Sequence, residues 1–318
     1  MGQWGNDAMK VLYFPDAPAP EWPQPVVALG NFDGLHRGHM KLLDQVCRRA
    51  AERGGTPVVQ MFDPHPSKVL RPDKPSALLT TLDQKLRAFE QAGLAAVAIV
   101  RFTPELSRWE PELFVERVLL DWLRVTEVWV GENFLFGRDR SGTFTLLRAL
   151  GQDRGFRVET VEPVRFKEFV VSSSRIRRLI QEGRVDEAAA LLGRPYAIEG
   201  TVVRGDARGR TLGFPTANLE SENELLPRYG VYATTATVDG VAHRSVSNVG
   251  IRPTIGDGRL VIEAHLLDGP RELYGERLRL AFVKWLREER TYASLEALTA
   301  QIALDCTAAN DVFARTGL

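Results

Sequence analysis

From residue 26 to about 192 the chain alternates two kinds of apolar pattern. Short continuous runs, Val26–Leu29, Pro57–Phe62, Ala95–Val100, Val125–Val130 and Phe156–Val161, have the length and composition of strands buried on both faces. Between them, apolar residues recur at helical spacing over Met40–Arg53, Leu82–Gln91, Pro111–Leu123 and Thr143–Arg154. Thr80-Thr81 supplies a helix start, and Gly54-Gly55 and Gly93 supply stops. This alternation predicts an α/β fold with a doubly wound, mostly parallel sheet. Val11–Phe14 offers an edge strand inside a leading segment that five prolines, Pro15 to Pro25, otherwise keep irregular.

A helical pattern opens at Ser172-Ser173-Ser174 and a second covers Val185–Leu192; after Gly193-Arg194-Pro195 the period changes. Tyr196–Val203, Val231–Val238, Arg244–Val249, Leu260–Leu267 and Arg277–Val283 read as strands separated by turn signals such as Asp239-Gly240 and Asp268-Gly269-Pro270. Five or six antiparallel strands followed by a helix from Ser294 to about Asn310 predict a small barrel packed by a C-terminal helix. The change of period places the domain boundary near 184–194, giving domains of residues 1–186 and 187–318. Along Leu260–Leu267, Ile262, Ala264 and Leu266 form the core face, and Glu263 and His265 the other.

The chain has 318 residues, enough for two cores. Lys plus Arg and Asp plus Glu number 41 each, which removes a global electrostatic case for nucleic acid. No apolar run approaches the roughly 18 residues of a membrane span. Cys47 and Cys306 lie far apart in helical patterns, so they are expected as reduced, buried thiols of a cytoplasmic protein.

The chemistry gathers where strands end. Gly30-Asn31-Phe32-Asp33-Gly34-Leu35-His36-Arg37-Gly38-His39 is a strand-to-helix turn, where orphan amide groups and the helix dipole favour phosphate. Histidines three apart can address one bound group. Asp63-Pro64-His65-Pro66 forms a rigid loop after the next strand, and Gly131–Arg138 offers Phe134 and Phe136 to flank a planar ring and Asn133 to read it. Arg175, Arg177 and Arg178 stand in the first turns of a helix, against the dipole, a conflict that a bound polyphosphate removes. In the second half, Gly205, Gly209 and Gly213 permit close backbone approach to phosphate, although a Walker Gly-Lys-Ser/Thr is missing. Thr216 and Asn218, two apart after Pro215, direct their oxygens to one side of an extended segment, a hard-oxygen pair suited to Mg²⁺. A zinc site at the histidines lacks a third ligand at suitable spacing.

Gly30–His39 together with Ser172–Arg177 resembles the HxGH nucleotidylyltransferases. Phe62–Pro66 and Gly131–Gly137 narrow the likeness to the FMN adenylyltransferase module of bacterial bifunctional FAD synthetases, from which Asn133 departs where many members carry an acid. Gly209-Arg210-Thr211-Leu212-Gly213-Phe214-Pro215-Thr216-Ala217-Asn218-Leu219 resembles the riboflavin kinase barrel, supported by Gly230–Ala233, Asn248–Thr254 and Leu273–Gly275. The resemblance implies a Rossmann-like first domain in which Gly30, Asn31, Phe32, Asp33, His36, Gly38, His39, Ser172, Ser173, Ser174, Arg175 and Arg177 bind ATP. It implies flavin contacts from Phe62, Pro64, His65, Asn133, Phe136 and Arg138. His36, His39 and Arg175 then serve adenylyl transfer. In the barrel it implies ATP contacts from Gly205, Gly209, Arg210, Gly213, Pro215, Thr216 and Asn218, Mg²⁺ on Thr216 and Asn218, and Glu263 as base toward the ribityl 5′-hydroxyl.

The expected partners are therefore small molecules, riboflavin, FMN and ATP, with no nucleic acid and no membrane; self-association is left open. One rival is a single-activity nucleotidylyltransferase whose barrel senses flavin without turnover, against which Thr216, Asn218 and Glu263 are all present. Another gives the first domain a different phosphorylated acceptor or an aminoacyl-adenylate. The neutral charge and the absence of a long anticodon-binding region count against the aminoacyl-adenylate version.

Overall fold

The computed structural model describes residues 8–205, 212–252, 259–269 and 271–317. The chain forms two compact units, residues 1–77 with 82–171, and 78–81 with 172–318.

The first unit contains β1 (Lys10–Phe14), β2 (Val26–Leu29), α1 (Arg37–Arg53), β3 (Pro57–Asp63), α2 (Pro66–Leu70), α3 (Leu82–Gln91), β4 (Ala96–Arg101), α4 (Pro111–Phe114), β5 (Glu127–Gly131), β6 (Leu135–Phe136), β7 (Gly142–Thr143), α5 (Phe144–Arg154), β8 (Arg157–Val161), β9 (Arg165–Phe166) and β10 (Phe169–Val170). Six of the strands form one parallel sheet in the order β1-β4-β3-β2-β5-β8. Because side chains alternate across a strand, Val27, Leu29 and Val58 enter one core while Val26, Ala28 and Val59 enter the other. Both faces are covered, which is why these strands read as unbroken apolar runs. β3 and β4 lie on one side of β2 and β5 on the other, so the order reverses between β2 and β5, and ligands of open α/β sheets sit outside the carboxyl ends at such a point.

Three local features differ from the pattern-based expectation. The helix expected over Pro111–Leu123 is α-helical only through Phe114 and continues as a π-helix over Val115–Trp122, burying Val115, Val118, Leu119 and Trp122. The loop expected at Asp63–Pro66 turns directly into α2. The short hairpins β6–β7 and β9–β10 fall below the length at which alternation is readable.

The second unit contains α6 (Ser173–Gln181), α7 (Val185–Leu192), β11 (Tyr196–Val203), β12 (Ala217–Ser221), β13 (Gly230–Val238), β14 (Val241–Arg252), β15 (Arg259–Leu266), β16 (Arg277–Arg287) and α8 (Leu295–Thr316). The six strands close into an antiparallel barrel, β11-β12-β15-β14-β13-β16, the strand missing from the pattern being β12. Ile198, Tyr232, Ile262 and Phe282 fill the inside, as the alternation over Leu260–Leu267 requires. The outer face of β15 is not a plain solvent face, however. Val231, Ala233 and Val246 on the same outer side pack against Ala309 and Phe313 of α8. Arg287 grips Asp305 through two hydrogen bonds, Nε to Oδ1 at 2.8 Å and Nη2 to Oδ2 at 2.6 Å, pinning α8 to β16.

The cysteines are free, as expected, but half-buried rather than buried. Burial, with the nearby Asp44 charge, pushes the Cys47 thiol up to about 11, which keeps it protonated and unreactive. Among the described residues no helix is long and apolar enough to cross a membrane.

Glu127, at the start of β5, is fully buried and holds α1 to the sheet. Its carboxylate accepts hydrogen bonds from Arg49 Nε at 3.0 Å, Arg49 Nη2 at 3.1 Å and Trp129 Nε1 at 2.7 Å. Burial pushes its pKa up, but the hydrogen bonds from Arg49 and Trp129 and the charges of Arg49 and Arg53 outweigh this, leaving the pKa below the ordinary carboxylate value. A folded-state pKa depressed in this way contributes stability that is present above the unfolded pKa and lost as pH falls through the folded one. Glu127→Ala is expected to cost about 1–3 kcal/mol, because it leaves the buried Trp129 N–H without its acceptor and takes from the partly exposed Arg49 one of its two carboxylate partners. Thermal unfolding should show the loss near neutral pH and a shrinking gap between variant and wild type below roughly pH 4.

Candidate active sites

In the first unit the turn after β2 is built against its own conformational preference. Phe32, Gly34 and Leu35 have φ of 50°, 82° and 43°, a left-handed region that side-chain-bearing residues avoid. Burial holds it there. Phe32 and Leu35 are 1% and 0% exposed, and Phe32 meets Phe89 of α3 edge-on at 5.6 Å between centroids. One helical turn before Phe89, the buried Lys85 ammonium donates to the Asn31 carbonyl at 3.2 Å. Periodicity gave no reason to single out Lys85, since lysines on helices normally face water; its contact depends on how α3 packs.

His36 caps α1, its Nδ1 accepting the His39 amide at 3.3 Å. A ring nitrogen that accepts carries no proton, so in the neutral ring the proton sits on Nε2, as a donor. The His36 and His39 rings stack at 3.7 Å with 17° between planes, and a Cβ at Gly38 would crowd the His36 ring at 3.2 Å. The pair, with Asn31, Phe32 and Asp33, is thus gathered at the carboxyl edge beside the order reversal, as the motif predicts. A Cβ at Gly30 would stand 3.1 Å from the Phe32 ring.

Phe62, at the end of β3, and Phe136 converge on Phe114, at 5.9 and 5.8 Å. Phe136 is a core residue, however, and Phe134 stacks on it at 5.5 Å. The two rings touch each other and leave no slot for a planar ring between them, which corrects that expectation. Asn133 is exposed at the loop tip. Arg138 is exposed too and pairs with Glu110 at 2.6 Å. Pro64 joins β3 to α2, which His65 caps, Nδ1 accepting the Ser67 amide at 3.2 Å and lying 2.8 Å from its hydroxyl oxygen.

In the second unit Ser172 caps α6, accepting the Arg175 amide at 3.4 Å. The first turn holds no acidic residue, Ser174 is exposed, and Ser173, Arg175 and Arg177 are half-buried.

Two cavities among the described residues of the barrel bear on its chemistry. One, of about 50 Å³, lies beside Pro215, Thr216 and Ala264 and is walled by Arg271 to Tyr274. The other, of about 280 Å³, lies between the outer barrel face and α8 and is lined by Thr216, Asn248, Glu263, His265, Leu298 and Ile302 among others. Thr216 borders both. Asn218 stands in register with Glu263, and a Cβ at Gly205 would overlap the Asn218 amide, so a side chain there would displace it. Gly213 adopts φ 84°. His265 is held by Pro215, Nδ1 to carbonyl 2.9 Å, with Phe214 edge-on at 5.4 Å. Gly209 and Arg210 lie outside the described residues, as do Pro253 and Thr254. Asn248, Arg287 and Tyr292 were not singled out by periodicity; they meet at the cavity only through barrel closure.

A family model described as FAD synthetase matches residues 19–175, and one described as riboflavin kinase matches residues 192–313. The chain belongs to the bifunctional riboflavin kinase/FMN adenylyltransferase family. Relatives of that name are 39% identical in Pseudomonas fluorescens, over 91% of this chain and 93% of the relative, and 37% identical in Escherichia coli K12, over 92% and 93%. The Bacillus subtilis relative is 38% identical over 90% and 91%. A crystal structure described as a macrolide-efflux protein from Streptococcus pneumoniae superposes with TM-score 0.87 at 26% identity, covering 95% of this chain and 99% of that one. The fold is thus shared end to end. The FAD synthetase match runs past residue 171 and takes in Ser172 to Arg175, while Arg177 falls outside it.

Two variants probe this geometry. Gly205→Ala should displace Asn218 and lower riboflavin phosphorylation on the order of tenfold to a hundredfold while sparing adenylylation of supplied FMN, as assayed by chromatography. Lys85→Met should do the reverse, lowering FAD formation by a similar factor and sparing FMN formation.

Proposed function

We propose that residues 1–186 adenylylate FMN and residues 187–318 phosphorylate riboflavin, with the side chains described above as the two sites. Chain and reaction then run in opposite order, because the C-terminal domain makes the acceptor that the N-terminal domain uses.

In the kinase half the supporting observation is Thr216, which borders both cavities beside Glu263. A phosphoryl group moves between a nucleotide and an alcohol, and a side chain common to two spaces suits the point of transfer. We assign the smaller space to the ATP phosphates, with Gly205, Gly213, Pro215, Thr216 and Asn218, and the larger to riboflavin; for Gly209 and Arg210 family resemblance alone supports an ATP contact. Glu263 orients the 5′-hydroxyl and takes its proton as the oxygen attacks the γ-phosphorus; ADP leaves. Thr216 and Asn218 offer hard oxygens, which fits Mg²⁺, an ion that needs only one or two protein ligands when phosphates and water complete its shell. When bound, it neutralises charge on the transferring phosphate.

Adenylylation needs less of the protein. FMN presents a phosphate oxygen that already carries charge, so attack on the α-phosphorus of ATP requires positioning and charge stabilisation more than a base. His36, whose Nδ1 contact fixes the proton on Nε2, and His39 donate to the triphosphate above the α1 amides, with Gly30, Asn31, Phe32, Asp33 and Gly38 forming the turn. For Ser172, Ser173, Ser174, Arg175 and Arg177, family resemblance supports a role as hydroxyl and guanidinium donors to the departing pyrophosphate. Phe62, Pro64, His65, Asn133 and Arg138 are assigned to the flavin side, with Phe136 closing the core behind them. Use of ATP and the two free thiols support a cytoplasmic location.

Purified protein given riboflavin and Mg·ATP should yield FMN with ADP, then FAD with pyrophosphate; accumulation of FMN alone would sink the adenylyltransferase assignment. Glu263→Ala should abolish FMN formation and leave FAD formation from supplied FMN. His36→Ala should give the opposite pattern, and joint loss in a folded variant would contradict separate sites.

A further inference from the structure

Two polar atoms on the larger cavity of the barrel are buried without a hydrogen-bond partner among the described residues: Asn248 Oδ1 and the Tyr292 hydroxyl. Folded proteins rarely keep such atoms, because each forgoes its bonds to water for nothing in return. The Asn248 amide has only one sensible orientation. Its Nδ2 donates to Glu289 Oε1 at 3.0 Å, and a carboxylate can only accept, so the nitrogen must face Glu289 and the oxygen must face away. Gly250 leaves room for this arrangement, since a Cβ there would overlap the Glu289 carboxylate.

Strand register places the orphan oxygen relative to the base. Asn248 lies opposite Glu263 on β15 and opposite Val231 on β13, and Val231 lies opposite Arg287 on β16. Directly opposed residues share a face, with Cβ atoms about 5 Å apart. The outer barrel surface under α8 therefore presents, in order, a carboxylate, an amide oxygen, an aliphatic floor and a guanidinium. Leu298 and Ile302 of α8 line the same space. Tyr292 stands at the far end, the Arg287 guanidinium 5.9 Å from its ring centre. A flat ring with a polar outer edge, joined to a chain of alcohols, matches this series in one direction only. The alcohols meet Glu263 and Asn248, the ring lies on the aliphatic floor, and its polar edge meets Tyr292 and Arg287.

We propose that Asn248 is a specificity-determining residue of the kinase: its Oδ1 accepts a hydrogen bond from the ribityl hydroxyl next to the one phosphorylated. This rests on Glu263 being the base of that site. An acceptor whose orientation is locked discriminates against a chain lacking the hydroxyl, because the oxygen is then left buried and unpaired.

The test compares riboflavin with 4′-deoxyriboflavin as substrates of wild type and Asn248→Ala, measuring kcat/KM for formation of the phosphorylated flavin. Removing the hydroxyl from the substrate, or the amide from the protein, should each cost about tenfold, and both together little more than either alone. Two losses that multiply in full overturn the proposal, as does a wild type indifferent to the missing hydroxyl. Should Asn248→Ala fail to fold, Glu289→Gln, at an exposed position, serves in the same cycle. It frees the amide to turn over and should narrow the preference for riboflavin; an unchanged preference counts against the proposal. Glu263→Gln separates the two levels of inference. If it turns over riboflavin like wild type, the kinase-site reading fails. If it is inactive while the Asn248 losses multiply, only the Asn248 assignment falls.

Discussion

The turn from Asn31 to His36 sits at positive φ at Phe32, Gly34 and Leu35, and a backbone so placed stays there only if its surroundings insist. Burial of Phe32 and Leu35, the Phe89 edge contact and the Lys85 ammonium on the Asn31 carbonyl together do so. Everything the first unit offers to a phosphate follows from that turn. It sets the entry into α1, so His36 becomes the cap, and the cap bond in turn fixes the His36 tautomer and the stacking of the two rings. Two tasks are thus divided: Phe32, Leu35 and Lys85 hold the turn from within, and His36 and His39 stand at the edge that the turn creates. A single flexible loop could not divide the two tasks in this way.

Closure plays the corresponding part in the barrel. Six strands joined edge to edge leave each residue only two choices, inside or outside, and the period of two assigns them. Once Ile262, Ala264 and Leu266 are inside, Glu263 must be outside, and so must its partners in register, Asn218 and Asn248. A carboxylate on the open outer face would be an ordinary surface group. Placed under α8, which the Arg287–Asp305 pair holds down, it lines instead a partly open cavity of about 280 Å³ with a largely apolar surface.

Much of this was legible in the sequence because it rests on period. The alternation of buried runs with helical stretches fixes the parallel sheet, and Ile262–Leu266 fixes which way β15 faces. The glycine- and histidine-bearing turn is marked by residue types that few other environments need. What stayed hidden depends on packing between distant segments. Lys85 looks like any helix lysine until α3 is laid across the turn. Ser245 and Ser247 look like surface residues, yet they are fully buried inside the barrel, bonded to Thr234 at 2.8 and 2.6 Å, while Val246 and Asn248 face outward. Polarity misreports the facing of β14, and so it hid Asn248. Phe134 and Phe136 mislead in the opposite sense: aromatic residues beside a ligand loop suggest a ring slot, but here they close the core.

The two halves also differ in how much of their chemistry the protein must supply, and the residues follow that difference. An alcohol is a poor nucleophile until its proton has somewhere to go, so the kinase site needs a carboxylate beside the transferred group and an enclosed space to hold the alcohol against it. A phosphate monoester arrives charged, and the adenylyltransferase site can be made of donors alone: helix amides, an imidazole N–H and hydroxyls. The product of the first reaction carries the nucleophile of the second. On the proposed assignment the base is needed only once in the two transfers, with Glu263 supplying it at the barrel and His36 and His39 standing at the sheet edge.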